Sequence, residues 1–170
     1  KKNLRLIDAS NYSINQDLKH ISTSNEILFQ SEDLKKFTPK DFKIVSKRKP
    51  SKKEMKNLIF AFNICRYVKS NGIVIASNET TAGIGSGQPS RLDSCNIAIN
   101  KMKKFSKINE SLVAASDAFF PFVDGIEKLV QSGVQAVVQP SGSIRDKEII
   151  KFANETNIAL VFSKTRHFRH

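Results

Sequence analysis

Residues that could bind a planar or anionic ligand are concentrated in a few segments of this 170-residue sequence. The first segment, GIGSGQPSR, alternates glycines with other residues and ends on Arg91. Such glycines let backbone N–H groups approach an anion ahead of a helix N-terminus, but the spacing matches neither a Walker A loop nor a dinucleotide fold. A tight turn explains the glycines as well as a ligand loop does. Arg91 and Asn71 favour the ligand loop, although Asn71 also suits a turn.

A second segment, SDAFFPFVDG, places phenylalanines beside carboxylates. Phe119 and Phe122 could form a flat apolar slot that ends at Asp124. A carboxylate accepts two hydrogen bonds from adjacent N–H donors, so such a slot suits a planar heterocycle. The structural alternative is that the rings belong to the core and that Asp117 or Asp124 caps a helix.

Two further segments, QPSGSIRD and the closing RHFRH, complete the set. The first offers another helix N-terminus through an S-x-x-D cap that begins at Ser143. The second carries Arg166, His167 and His170. It is either a frayed basic tail, or the preceding strand places it at the same sheet edge as the other segments. No spacing gives either histidine a proton-transfer role. The H-x-E and P-C-x-x-C pattern of zinc deaminases is absent from the sequence, so no metal is predicted.

Alternating helices and strands are predicted to position these segments. Periodicity predicts helices over 51–69, from Ser90, over 123–132 and over 144–156, and strands over 72–76, from 111, from 134 and over 158–162. Strands separated by helices need crossover connections, so the order predicts an α/β fold with a largely parallel sheet. Ligands collect at the carboxyl ends of such strands. The loops at 77–91, 116–123 and 139–144 should therefore meet at one edge.

The domain organisation follows from a change of character at Ser51. Residues 1–50 are expected to be an irregular wrapping and connecting segment with one short strand at 26–30. Residues 51–170 are expected to form the α/β lobe.

Composition and charge limit the class of protein. The chain is 39% hydrophobic and has a net charge of +12, so a folded, soluble domain or lobe is expected, and no apolar run is long enough for a membrane partner. Residues 35–56 hold ten basic and two acidic residues, a net +8. This segment is either a solvated linker and helix face or a surface that attracts polyanions. No motif for sequence-specific DNA recognition is present.

Cysteine usage and the first residues indicate the compartment. Cys65 and Cys95 lie in helical patterns without disulfide or metal spacing, which indicates core positions in a reducing compartment. The first residues lack a secretory signal, and the chain begins with Lys1, which suggests a piece of a longer, cytoplasmic chain.

The ordered motifs IASNETTAGIGSGQPSR, SDAFFPFVDG, QPSGSIRD and RHFRH resemble the C-terminal part of a bifunctional purine-biosynthesis family, AICAR transformylase with IMP cyclohydrolase. KKNLRL, KIVSKRKPSKKEM and the K-S-N that ends at Asn71 are similar to the same family, so the resemblance covers essentially the whole chain. It implies formyl transfer from 10-formyltetrahydrofolate to the amine of AICAR in a homodimer. It also implies a three-layer, cytidine-deaminase-like lobe without zinc.

The resemblance also implies binding residues at matching positions. Asn71 and Arg166 are expected to contact AICAR, with Arg166 addressing its phosphate. The residues expected to bind folate are Arg91, Leu92, Phe119, Phe122, Asp124, Ser143 and Ile144. Neither a metal nor a nucleic-acid partner is implied.

One family motif is missing from the sequence. The catalytic Lys-His pair of the family lies in a segment resembling SFKHVSPAG, where the His is the general base and the Lys stabilises the developing oxyanion. Lys19–His20 resembles a different family segment and is interpreted as structural. No catalytic residue is therefore expected here, and the chain alone should bind weakly without turnover. The alternatives are a polyanion- or nucleic-acid-binding module that uses residues 35–56, and a dimer-forming structural lobe.

Overall fold

The computed structural model of the chain describes residues 18–105 and 111–169. It forms two compact units, Lys1–Lys35 and Lys36–His170. In the first unit, strands β1 (Leu18–Ser22) and β2 (Ile27–Ser31) pair as an antiparallel hairpin. β2 confirms the strand predicted at 26–30, and His20 of the Lys19–His20 pair lies opposite Phe29 in this hairpin.

The described residues of the second unit form one six-stranded sheet with helices on both faces. Its strands are β3 (Phe42–Ile44), β4 (Ile73–Ser77), β5 (Thr80–Gly85), β6 (Leu112–Ser116), β7 (Val134–Pro140) and β8 (Ala159–Ser163). Its helices are α1 (Lys52–Cys65), α2 (Arg91–Phe105), α3 (Val123–Gln131) and α4 (Asp146–Glu155). The strand order is β3-β8-β7-β6-β4-β5. The predicted helices and the predicted strands of this lobe are thus confirmed, with small shifts at their ends.

Helix α1 shows how local sequence sets these elements. Ser51 accepts a hydrogen bond from the backbone of Glu54, whose carboxylate accepts one from the Ser51 N–H, so a capping box starts the helix. Leu58, Phe62 and Cys65 recur at helical spacing and are fully buried against the sheet. The amphipathic pattern therefore attaches α1 to one face of the sheet.

The sheet is mixed, which corrects the prediction of a largely parallel one. β6, β7 and β8 are parallel, but β4 is antiparallel to both β5 and β6, and β3 is antiparallel to β8. β4 and β5 are joined by Asn78 and Glu79, both with positive φ, as a two-residue hairpin turn requires. The sequence prediction missed this hairpin because it assigned the whole of residues 77–91 to a loop.

Strand β5 corrects that loop assignment. The glycines of this stretch favour a loop, yet Thr80–Gly85 pairs with β4, with one register shift. A Cβ atom at Gly83 would collide with the carbonyl oxygen of Ala98, and one at Gly85 with that of Ser94. These glycines therefore allow α2 to lie directly on the strand, and only residues 86–90 form a loop.

The core has two layers, one on each face of the sheet. One layer packs α2, α3 and α4 against alternate strand residues such as Ile75 and Leu160. The other packs α1 against the intervening residues, such as Val74 and Val161. Because both faces are covered, the strand residues are buried on both sides, which explains their continuous apolar runs. The described part of this unit is a three-layer α/β structure.

The two cysteines occupy this core, as predicted. Both are free and buried. Burial raises the pKa of the Cys95 thiol to about 12, and burial also raises the pKa of Cys65 well above its usual value. Neither thiol is ionised near neutral pH, so both act as apolar fillers. None of the helices in the described ranges is both long and apolar enough to span a membrane.

Candidate functional site

The carboxyl ends of β6, β7 and β8 meet the end of β5 and the start of β4 at one edge of the sheet. The register places Ile73, at the start of β4, opposite both Gly85 and Ser116. The β4–β5 hairpin reverses the chain, so it delivers residues 86–90 to the edge at which β6 ends. The predicted loops therefore converge, although the first does so through a hairpin and not through a parallel strand.

A cavity of about 430 Å³ lies at this edge. Seven of the nine residues predicted to bind ligand line it: Asn71, Arg91, Leu92, Phe119, Phe122, Asp124 and Arg166. Phe168 and Pro89 also contribute to its wall. A cavity of this size, with aromatic walls and a few charged groups, suits a small planar ligand.

The remaining two predicted residues, Ser143 and Ile144, are not part of this wall. Ile144 is fully exposed, and the Ser143 hydroxyl accepts a hydrogen bond from the Arg145 N–H. Their loop nevertheless borders the site, because the Arg145 guanidinium lies 4.7 Å from the centre of the Phe122 ring.

The three phenylalanines of FFPF all line the cavity, but they differ in burial. Phe120 is buried under Gly125, and its N–H donates to the Oε1 of Gln139 at 3.2 Å. Phe119 and Phe122 line the cavity, and Phe122 is half exposed. The rings therefore contribute to the core and to the cavity wall, and Phe120 belongs to both.

Arg166 is the exposed cation of the cavity. Its guanidinium lies 4.9 Å from the centre of the Phe119 ring and 5.8 Å from that of Phe168. Such stacking holds the charge in place without neutralising it. Among the described residues, no carboxylate forms an ion pair with Arg166, so its charge is available to an anion.

Asp124 is the exposed carboxylate of the cavity. It lies in the first turn of α3, where its Oδ1 accepts the Gly125 N–H at 2.7 Å. Within the described ranges no cation is paired with it. The site thus offers one accessible cation and one accessible carboxylate, with aromatic rings beside them.

Arg91, in contrast, is buried and already paired. Its Nη1 donates to Asp117 and to the Ser116 hydroxyl, the latter at 2.8 Å, and its Nη2 donates to the Oδ1 of Asn71 at 2.7 Å. The Asn71 amide nitrogen donates to the carbonyl of Pro89 at 2.9 Å. The Arg91 charge is therefore balanced inside the protein, and Arg91 fixes the orientation of Asn71.

Asp117, which supports the cavity wall through Arg91, is the residue that sequence reasoning missed. The sequence suggested at most a helix cap, but Asp117 is fully buried and forms an ion pair with Arg91. Its position directly after the apolar strand LVAAS was the available signal, since a carboxylate at the end of a buried strand needs a cation nearby.

His167 of the closing motif does not contribute to the cavity wall. His167 is 1% exposed, and its ring lies 4.3 Å from that of Phe62 and 5.2 Å from that of Phe37. It packs in an aromatic cluster with Phe37 and Phe62. His170 lies outside the described residues. No group of His, Cys, Asp or Glu in the described part of the chain has the arrangement of a metal site.

Known proteins resemble this chain in sequence. The family model described as the AICARFT/IMPCHase bienzyme matches residues 1–101. The chain is 44% identical over 173 residues to the bifunctional purine biosynthesis protein PurH of Persephonella marina, and 45% identical over 170 residues to that of Aquifex aeolicus. Each alignment covers 100% of this chain and 33% of the relative. The chain thus spans about a third of the length of the curated relatives it matches.

Proposed function

The chain belongs to the AICARFT/IMPCHase bienzyme family, and on that premise we propose that it is the C-terminal lobe of an AICAR transformylase. The enzyme would transfer a formyl group from 10-formyltetrahydrofolate to the amine of AICAR in de novo purine (IMP) biosynthesis. The observation that carries this proposal is that seven residues matched to ligand-binding motifs line one cavity. These residues come from four separate parts of the chain.

Arg166 and Asn71 are proposed to bind AICAR. AICAR is a planar imidazole carboxamide with a ribose phosphate. Arg166 suits the phosphate because its guanidinium is exposed and has no carboxylate partner among the described residues. The Asn71 side chain also lies on the cavity wall. Its amide nitrogen donates to the Gln88 and Pro89 carbonyls and its Oδ1 accepts from Arg91, so the second lone pair of Oδ1 is what it offers to an N–H donor of AICAR.

Phe119, Phe122 and Asp124 are proposed to bind the folate. A pterin is flat and carries adjacent N–H donors, so it can lie on the rings and donate to the Asp124 carboxylate. Leu92 would add apolar contact, and Ser143 and Ile144 would close over the folate from the neighbouring loop. Arg91 is proposed to support this site through its fixed position. The folate supplies the formyl group.

Proton transfer is assigned to groups outside this chain. None of the described residues that line the cavity is a lysine or a histidine. We therefore propose that the general base and the oxyanion-stabilising group come from the rest of a longer, cytoplasmic, homodimeric enzyme. The lobe, proposed to be cytidine-deaminase-like, would bind and orient both substrates without a metal.

Turnover measurements test this assignment. The full-length enzyme is expected to formylate AICAR with 10-formyltetrahydrofolate, whereas the 170-residue chain alone is expected to show none. Absence of formyl transfer by the full-length enzyme would overturn the proposal. Turnover by the isolated chain would overturn the assignment of the proton-transfer groups to other parts of the enzyme.

The competing interpretation, a polyanion-binding module at residues 35–56, has less support. Arg48 of this segment forms a largely buried ion pair with Glu54, at 2.6 Å, and donates to the backbone of Gln135. At least this cation therefore has a structural role.

A further inference from the structure

Asp117 connects the three chain segments that carry Asn71, Arg91 and Arg166. Its carboxylate accepts a hydrogen bond from Arg91. Its backbone N–H donates to the Gly72 carbonyl at 3.1 Å, and its own carbonyl accepts the His167 N–H at 2.9 Å. Gly72 follows Asn71 in the chain, and His167 follows Arg166. Asp117 therefore holds Arg91 directly, and it holds Asn71 and Arg166 through the backbone of the residues that follow them.

Arg91 transmits the position of Asp117 to Asn71. A guanidinium is a planar fork, so fixing Nη1 on Asp117 and Ser116 also fixes the direction of Nη2. Nη2 donates to the Oδ1 of Asn71, and the Asn71 amide group donates to the backbone of Gln88. The Asn71 carboxamide is thus held at both ends: the Gln88 and Pro89 carbonyls hold its nitrogen, and Asp117, acting through Arg91, holds its oxygen.

Stability alone does not account for this buried pair. Removing two charges from water costs about as much as their attraction returns, and well-packed apolar residues usually stabilise a core at least as well. The Oδ2 of Asp117 is also buried, and no described residue donates a hydrogen bond to it. An apolar pair would avoid both costs, but it could not orient a carboxamide.

We propose that Asp117 is a positioning residue for the ligand that Asn71 contacts. It does not reach that ligand. Its role is to hold Arg91 so that the Asn71 carboxamide keeps one orientation in the empty and in the occupied cavity. The identity of the ligand, AICAR, rests on the proposed function, whereas the link from Asp117 through Arg91 to Asn71 does not.

The variant Asp117→Asn tests this role in the full-length enzyme because it keeps the shape and removes the charge. We expect the Kd for AICAR to rise roughly tenfold, the factor that corresponds to about 1.4 kcal/mol, the order of one lost hydrogen bond to a ligand. The Kd for the folate should rise by a smaller factor than the Kd for AICAR, because Arg91 also supports the folate site but donates directly to Asn71. Unchanged AICAR affinity in a folded variant, or equal losses for both ligands, would overturn the proposal.

A double-mutant cycle with Asn71→Ala separates positioning from general destabilisation. If Asp117 acts through Asn71, the double variant binds AICAR no more weakly than Asn71→Ala alone. A double variant whose loss of AICAR affinity is the product of the two single losses would overturn the proposal. Should Asp117→Asn fail to fold, Arg91→Lys serves instead. It keeps a positive charge beside Asp117, but a single ammonium cannot hold Asp117 and Asn71 in the geometry of the guanidinium fork, so a similar loss of AICAR affinity is expected. Wild-type AICAR affinity in that variant would overturn the proposal.

A crystal structure of ligand-free Asp117→Asn gives a test that needs no substrate. The proposal expects Asn71 to leave its contact with Arg91, and an unchanged contact would contradict it. If the wild-type enzyme itself fails to bind AICAR, the proposed function fails, but this structural test of the positioning role still stands.

Discussion

The guanidinium of Arg166 lies 4.9 Å from the centre of the Phe119 ring, so the exposed cation of the cavity rests on a wall of its aromatic slot. The ring has two functions in this arrangement. It restrains the cation through a cation–π contact, and it offers apolar surface to a planar ligand.

Replacing the Phe119 ring should therefore weaken the binding of both ligands. Phe119→Leu removes a cation–π contact worth about 0.5–1 kcal/mol at an exposed site, so AICAR affinity should fall roughly two- to fivefold. Folate affinity should fall by a similar or larger factor, since a stacking surface is lost. Calorimetric titration of the full-length enzyme measures both. Phe119→Tyr, which keeps the ring, is the control and should bind both ligands nearly as the wild type does.

Gly85 should be intolerant of a side chain for a reason unrelated to ligands. Gly85→Ala drives a Cβ into the Ser94 carbonyl, so α2 must shift away from β5. Overpacking of this kind costs about 1–3 kcal/mol in the free energy of unfolding, measured by urea denaturation. Gly87→Asn is the control: Gly87 has open space around it and a φ of 68°, which asparagine tolerates. Equal losses in the two variants would contradict the packing role of Gly85.

Because of Glu54, the free energy of unfolding should fall as the solution is made acidic. Burial raises the pKa of Glu54, but hydrogen bonds from Arg48 and Ser51 outweigh burial, so its pKa lies below the ordinary 4.5. A lowered pKa means that ionised Glu54 stabilises the fold above the ordinary value, and that this contribution is lost as the pH falls through the folded-state pKa.

The variant Glu54→Gln isolates that contribution. Near neutral pH it should unfold more easily than the wild type, by roughly 1–3 kcal/mol for a hydrogen bond between charged groups. The difference should shrink below pH 4.5, the ordinary value, when urea unfolding is repeated at successive pH values. A difference that stays constant down to acid pH would show that Glu54 does not act through its charge.

The fold could be predicted from the sequence wherever a local pattern determined it. The helical periodicity of Leu58, Phe62 and Cys65 and the apolar runs of β6, β7 and β8 gave the correct elements. Strand direction was not a local property. β4 became antiparallel because a two-residue turn at Asn78 and Glu79 formed a hairpin, and the glycines that suggested a loop proved to be the places where α2 touches β5.

Most of the residues predicted to bind ligand line the cavity, but the hydrogen bonds and the ion pair that connect them could not be predicted. Phe119, Asp124 and Arg166 line one cavity, as the convergence of loops predicted. The ion pair between Arg91 and Asp117 joins residues far apart in sequence, and no spacing rule could indicate it. For the same reason Arg91 looked like a free cation for anionic ligands, whereas the structure balances its charge inside the protein.

The central claim is that this one cavity binds two substrates at chemically different ends. The most direct measurement is the Kd of AICAR and of a folate for the full-length variants Arg166→Gln and Asp124→Asn. Arg166→Gln should weaken AICAR binding roughly 10- to 100-fold, as expected for a charge-assisted contact, and leave folate binding nearly unchanged. Asp124→Asn should do the reverse. Equal losses of both ligands in both variants, or no loss in either, would contradict the claim.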